Sequence, residues 1–278
     1  MMNDFPEALA SRVDTASAHK RRVKRKPFKL GYVTVLSVII VLLCWEYFGR
    51  QISPIFSSYP SAIAIAFWEL LRSGVLAKAF FQSIQPLAAG FFLAAVVGIP
   101  VGLLIGRYRV VEAAINIYVL AGYATPLVAL MPLFTLWFGL GFTVKMAIIF
   151  TLTVFPIIIN TSDGVKQVPK ALIEVGIAFV ATQSGIMWKI IIPATIPYIM
   201  TGLRLGVGKA IIAMIIAEFF SAISGLGGVI INAGNSFQTA TMFVPVIVLM
   251  ILGVALTKLV GMLEKKIAPW QNGSVGRE

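Results

Sequence analysis

Four stretches of this chain carry no charged residue: Ala79 to Gly106, Ala113 to Val144, Met146 to Ser162 and Phe219 to Thr257. A helix that is apolar all round lies either in the core of a large protein or in lipid. A chain of 278 residues has too little interior to hide so much apolar surface. Composition agrees, with 59% of residues hydrophobic and 12% charged, against roughly 45–50% and 25% in soluble domains. A soluble globular enzyme and a disordered chain are both excluded. One cysteine, Cys44, and one histidine, His19, leave almost no material for disulfide scaffolds, zinc clusters or Cys/His and Ser/His catalysis.

The chain therefore reads as an all-α polytopic membrane protein. About 20 apolar residues at 1.5 Å rise cross the ~30 Å hydrocarbon layer. Residues 1–30 form a polar, basic tail, and 31–49 an uncleaved first span. Further spans are expected near 81–106, 113–137, 143–160, 197–221 and 241–261, within a transmembrane domain over 65–265, and 266–278 is a C-terminal tail. Six spans place both termini on one side. That side collects the N-terminal run from Lys20 to Lys29, Arg107, Arg109, Lys166, Lys170, Lys189, Lys258, Lys265 and Lys266. The other has Arg50, Arg72, Lys78 and Lys145. The positive-inside bias makes it the cytoplasm. Topology and anionic lipid then account for the net charge of +12 without nucleic acid.

Small residues occur at helix-packing spacing: Gly98, Gly102 and Gly106, and again Gly202 and Gly206. These allow close helix approach, either inside one subunit or at a dimer seam. Pro86, Pro100, Pro126, Pro132, Pro156 and Pro245 fall in or beside spans, where bends are tolerated if buried or facing a cavity.

Residues 161–196 form a cytoplasmic loop between spans four and five. Leu172, Val175 and Phe179 have helical spacing, which gives one short amphipathic helix. Thr182-Gln183-Ser184-Gly185 is expected to turn, and a second short helix, Ile186–Ile192, to stop at Pro193. Such a pair can dock in a partner's groove or merely cap the bundle.

The run Glu174-Val175-Gly176, with Pro193 nineteen positions after the glutamate, resembles the EAA loop of bacterial ABC-importer permeases. Gly176 replaces the family's second alanine, and the family's glycine between the short helices falls on Val180, with Gly185 downstream. The likeness extends over roughly 58–262. YPSAIAIAFWELL, LAAGFFLAAVVGIPVGLLIG, ATPLVALMPLFTLWFGLG and TGLRLGVGKAIIAMIIAEFFSAISGLGGVI are similar to the nitrate/sulfonate/taurine branch. The resemblance implies a permease subunit working as a pair, most simply a homodimer, in the bacterial cytoplasmic (inner) membrane. It implies two cytoplasmic ATPase subunits, an extracytoplasmic solute-binding protein, and a small, typically anionic solute. ATPase coupling would fall on Glu174, Val175, Gly176, Phe179, Val180, Ala181, Thr182, Gln183, Gly185 and Pro193. ATP and Mg would be bound by the ATPases. The nearest phosphate-loop string here, Gly206-Val207-Gly208-Lys209-Ala210, lacks the first glycine and the Ser/Thr after lysine, and lies in an apolar helix.

Arg204, Lys209 and Glu218 interrupt the fifth span. An ionisable group in hydrocarbon costs at least about 2.5–3.5 kcal/mol unless paired, snorkelling or facing water. Arg204 and Glu218 are near span ends, so both are expected to snorkel. Lys209 is deep. It either offers positive potential to an anion or is a structural lysine capped by a carbonyl or carboxylate. Tyr123, Thr125, Pro126 and Ser221 complete the pathway candidates. The competing function is a carrier or channel driven by an ion gradient, which would call for internal repeats and mid-membrane carboxylates. No repeat is evident, and carboxylates in the spans are few: Glu46 and Glu218.

Overall fold

The computed structural model describes residues 30–221 and 224–269, with the side chains of Leu30, Gly31 and Ser221 left out. The tails at 1–29 and 270–278 lie outside the described residues. All regular structure described is helical. The chain divides into two units, Met1–Tyr47 and Phe48–Glu278. The first holds most of α1 (Leu30–Gln51), an apolar helix with no acidic residue in its first turn and Arg50 in its last. In the second unit come α2 (Pro60–Arg72), α3 (Val75–Arg107), α4 (Arg109–Ala124), a 3-10 turn (Leu127–Leu130), α5 (Met131–Phe138) and α6 (Phe142–Lys166). These are followed by α7 (Lys170–Ala178), α8 (Gln183–Ile186), a π-helical turn (Met187–Ile191), α9 (Ile192–Ser221), α10 (Gly225–Asn235) and α11 (Thr239–Ile267).

Among the described residues five helices are long and apolar enough to cross a membrane, or six if a bent pair forms one span. That pair is the expected span at 113–137, which is not one rod. It breaks between Ala124 and Leu127, and its halves meet at 87°. The break has the geometry that a residue before proline favours, outside the α region. Thr125 accordingly takes φ −67° and ψ 130° ahead of Pro126. Pro86, Pro100, Pro156, Pro197 and Pro245 stay inside continuous helices.

The remaining helices outrun the expected spans. α6 reaches Lys166 rather than 160, and α11 reaches Ile267 rather than 261. Hydropathy marks the length that lipid can cover, while hydrogen bonding carries the helix onward.

α3, α6 and α9 form the centre, with α6 between the other two. The glycine stripe of α3 meets α6 of the same chain. A Cβ on Gly102 would lie 2.6 Å from Thr161 Cβ, and one on Gly106 2.5 Å from Val165 Cβ, so only glycine permits this backbone separation. Gly202 and Gly206 of α9 face an adjoining side of α6, at Asn160 and Thr153, and share Ile157 with Gly98 of α3. Around them Leu87, Met131, Ile148, Ile149, Ala213 and Met214 make the main apolar core.

Candidate functional site

α6 leaves the bundle at Lys166. Pro169 then starts α7, which ends in an elbow at Phe179–Ala181. The turn is a Schellman cap: Ala181 N–H donates to Gly176 O (3.0 Å) and Val180 N–H to Ile177 O (2.9 Å). The cap needs a left-handed residue, and Val180 supplies it at φ 54°. A β-branched residue there costs roughly 1–2 kcal/mol. The turn expected at Thr182–Gly185 is thus displaced to the position that glycine holds in the EAA loop. Thr182 caps the next helix, its Oγ1 accepting from Gly185 N–H at 3.1 Å, and Gly185 lies inside that helix.

Nor does the second helix stop at Pro193. An interior proline removes one helical hydrogen bond and crowds the turn before it, and a π-helical turn, Met187–Ile191, lies just before Pro193. Here α8, the π turn and α9 join into one helical run, Gln183–Phe220, of 38 residues. Pro193 is its second α9 residue. The expected second short helix and the expected fifth span are therefore one piece, which begins directly after the elbow.

The elbow rests on a small core of Val165, Val168, Ile186 and Ile191, with Ile173 and Ile190 packed beside it. Gly176 is buried there because a Cβ would meet Ile190 Cδ1 at 2.7 Å. Glu174, Thr182 and Gln183 are exposed. So are Leu172, Val175, Phe179 and Val180, the last two at 83% and 89%. Three polar contacts brace the base. Arg107 donates to Gln183 Oε1 (2.6 Å), Lys166 pairs with Glu112 (2.6 Å), and Tyr198 donates to Gln167 Oε1 (2.6 Å). Arg107 and Gln183 are 76 positions apart, and nothing in the sequence pattern links them.

Of the pathway candidates, Lys209 and Tyr123 come together. Lys209 Nζ stands 5.8 Å from the centroid of the Tyr123 ring, a cation–π distance. Thr125 Oγ1 donates to Ala121 O (2.7 Å) at the break before Pro126. Arg204 is paired with Glu264 on α11. The side chain of Ser221 lies outside the described residues.

Glu218 does not snorkel. It is 0% exposed, and Lys145, counted above among surface cations, is 3% exposed. Glu218 Oε1 accepts from Ser83 Oγ (2.6 Å), and Lys145 Nζ is 3.6 Å away. Glu218 Oε2 accepts from Gly227 N–H at 2.8 Å. A buried charge is tolerable when paired and hydrogen-bonded, and here α3, α6 and α10 all contribute. The only sequence hint was a carboxylate and a lysine in otherwise apolar spans.

Residues 98–269 match the family description "Binding-protein-dependent transport system inner membrane component". The chain is 30% identical to the putative aliphatic sulfonates transport permease protein SsuC of Bacillus subtilis, over 91% of this chain and 94% of that one. It is also 30% identical to the formylaminopyrimidine transport permease protein ThiX of Halalkalibacterium halodurans, over 85% of this chain and 94% of that one. Among solved structures, a chain of the inward-facing MetNI methionine ABC transporter superposes with a TM-score of 0.58 at 19% identity. That match covers 69% of this chain and 95% of the other, a likeness of fold.

Proposed function

The chain belongs to the binding-protein-dependent ABC transporter inner-membrane permeases, and from that premise we propose that its elbow is the contact through which a pair of ATPase subunits drives import of a small anionic solute. As an ABC importer permease it is a non-catalytic, multi-pass membrane subunit that works with an ATPase and a binding protein. Membership sets aside the ion-gradient carrier.

Two copies of the chain form the pathway in the bacterial cytoplasmic membrane, with both termini and the elbow in the cytoplasm. ATP and Mg are held by the ATPases. The loaded binding protein docks on the outer face. ATP-driven closure pushes the elbow and opens the pathway outward, and hydrolysis resets it. One observation carries this reading: two large apolar side chains, Phe179 and Val180, stand in the open on a braced, hydrogen-bonded turn. Exposed apolar groups on a rigid support suit insertion into a partner's groove. Glu174, Val175, Gly176, Ala181, Thr182, Gln183, Gly185 and Pro193 shape or surround that turn.

Lys209 over Tyr123 offers positive charge from α9 to a passing anion, with Arg204 further along the same helix. The sulfonate relative supports an organic anion. The formylaminopyrimidine relative makes a neutral heterocycle the competing solute.

The test is a cysteine at Phe179 in a Cys44→Ser background, with the chain purified from its host membrane. Crosslinking to an ATPase subunit is expected. An elbow cleaved by protease on the outer side of intact cells would overturn the proposal. Uptake of labelled taurine and ethanesulfonate in reconstituted vesicles, lost in Lys209→Met, supports the anion reading; uptake of a formylaminopyrimidine alone rejects it.

A further inference from the structure

α10 begins without a local cap. Ser224, its N-cap residue, makes no side-chain capping bond. Its first N–H groups, which a helix leaves without intrahelical partners, are received by side chains from other helices. Gly225 N–H donates to Gln82 Oε1 (3.1 Å), Leu226 N–H to Ser83 Oγ (2.9 Å) and Gly227 N–H to Glu218 Oε2 (2.8 Å). Ser83 in turn donates to Glu218, and Lys145 Nζ reaches Ser224 Oγ at 2.8 Å. The Glu218 carboxylate thus sits at the positive end of the α10 dipole. Gly225 and Gly227 leave it no slack, since a Cβ on either would strike the Glu218 side chain.

Glu218 lies near one end of the continuous 38-residue helix whose other end is the elbow. At 1.5 Å per residue that run is roughly 57 Å long. We propose that Glu218 is a positioning residue that yokes α10 to this rod, so that displacement of the elbow is delivered directly to α10 at the far end.

Stability alone does not call for such a joint. Apolar side chains of similar volume hold helices as well as a buried ion pair does, often better. Apolar contacts, however, slide. A carboxylate bonded to a helix terminus and to a third helix fixes direction and distance. A cavity of about 340 Å³ beside it, lined by Lys78, Gln82, Gly228 and Asn232, leaves room for α10 to shift against α3.

The proposal rests on the elbow being the ATPase contact, and the test separates the two. Spin labels go on Lys78→Cys and Asn232→Cys to report α10, and on Lys170→Cys of the two copies to report the elbow. Both pairs sit in a Cys44→Ser background, in the full transporter, nucleotide-free and trapped with ATP and vanadate. Both distances are expected to shift on trapping in the otherwise unaltered protein. The double variant Lys145→Met/Glu218→Leu keeps the volume and removes the joint. In it the elbow shift persists and the α10 shift is lost. Ser83→Ala, which keeps the ion pair, loses part of the α10 shift and serves if the double variant fails to assemble. An α10 shift that survives in the double variant, or in Ser83→Ala if only that assembles, overturns the yoke alone. Elbow labels that do not respond in the unaltered protein overturn the coupling reading and the yoke with it.

Discussion

At the Gln183 end of the long helix the conspicuous side chains are apolar and exposed, Phe179 and Val180 among them. At the Phe220 end they are charged and buried, Glu218 and Lys145. Each end inverts the usual rule, in opposite senses. Exposed apolar groups gain by being covered by something outside this chain. Buried charges gain only from partners already inside it. The contrast assigns the elbow to contact between subunits and the Glu218 cluster to contact within one.

That division can be broken by substitution. The largest effect is expected from Lys145→Met alone, which strands Glu218 without its counter-charge. Breaking a buried pair costs about 3–5 kcal/mol, so folded protein in detergent should fall sharply. The double variant Lys145→Met/Glu218→Leu should recover most of it. Equal losses in single and double variants would show that the pair itself is not what matters.

Next comes the α3–α6 contact that supports both ends. Gly102→Val forces side-chain atoms into Thr161, and overpacking costs about 1–3 kcal/mol. A lower unfolding temperature is expected, whereas Gly208→Val, where nothing lies within 4 Å, should leave it unmoved. At the elbow, Val180→Gly removes left-handed strain of roughly 1–2 kcal/mol and adds chain entropy of about 0.5–1 kcal/mol. A small net stabilisation is expected, together with loss of an apolar contact to the ATPase. Thermal unfolding of the isolated permease reads the first, and crosslinking yield the second. The smallest change belongs to Arg107→Ala, an exposed brace worth at most about 1 kcal/mol. Proteolysis at the elbow should rise slightly while overall unfolding stays put.

Legibility followed the range of the interaction. The prolines marked where spans could bend but not which would break: the chain breaks at Thr125–Pro126, while Pro86, Pro100, Pro156 and Pro245 stay inside helices. The glycine stripe on α3 was visible as a spacing, but the spacing cannot say whether the helix it meets is in the same chain. The Thr182–Gly185 turn was misplaced because glycine is the usual left-handed residue, and at this elbow valine occupies that conformation. Glu218 was expected to reach water by proximity to a span end. Three other helices enclose it instead, through Ser83, Lys145 and Gly227.

What the sequence determined by itself is that this chain is helical and belongs in a membrane. In lipid every backbone polar group must be satisfied internally, and long charge-free runs leave helices as the available answer. Tertiary structure alone decided which carboxylate meets which ammonium and which helix start is capped from afar. Ser83 and Glu218 are 135 positions apart. A contact over that distance is set by how α3, α6 and α9 pack, and not by any local preference of the residues that make it.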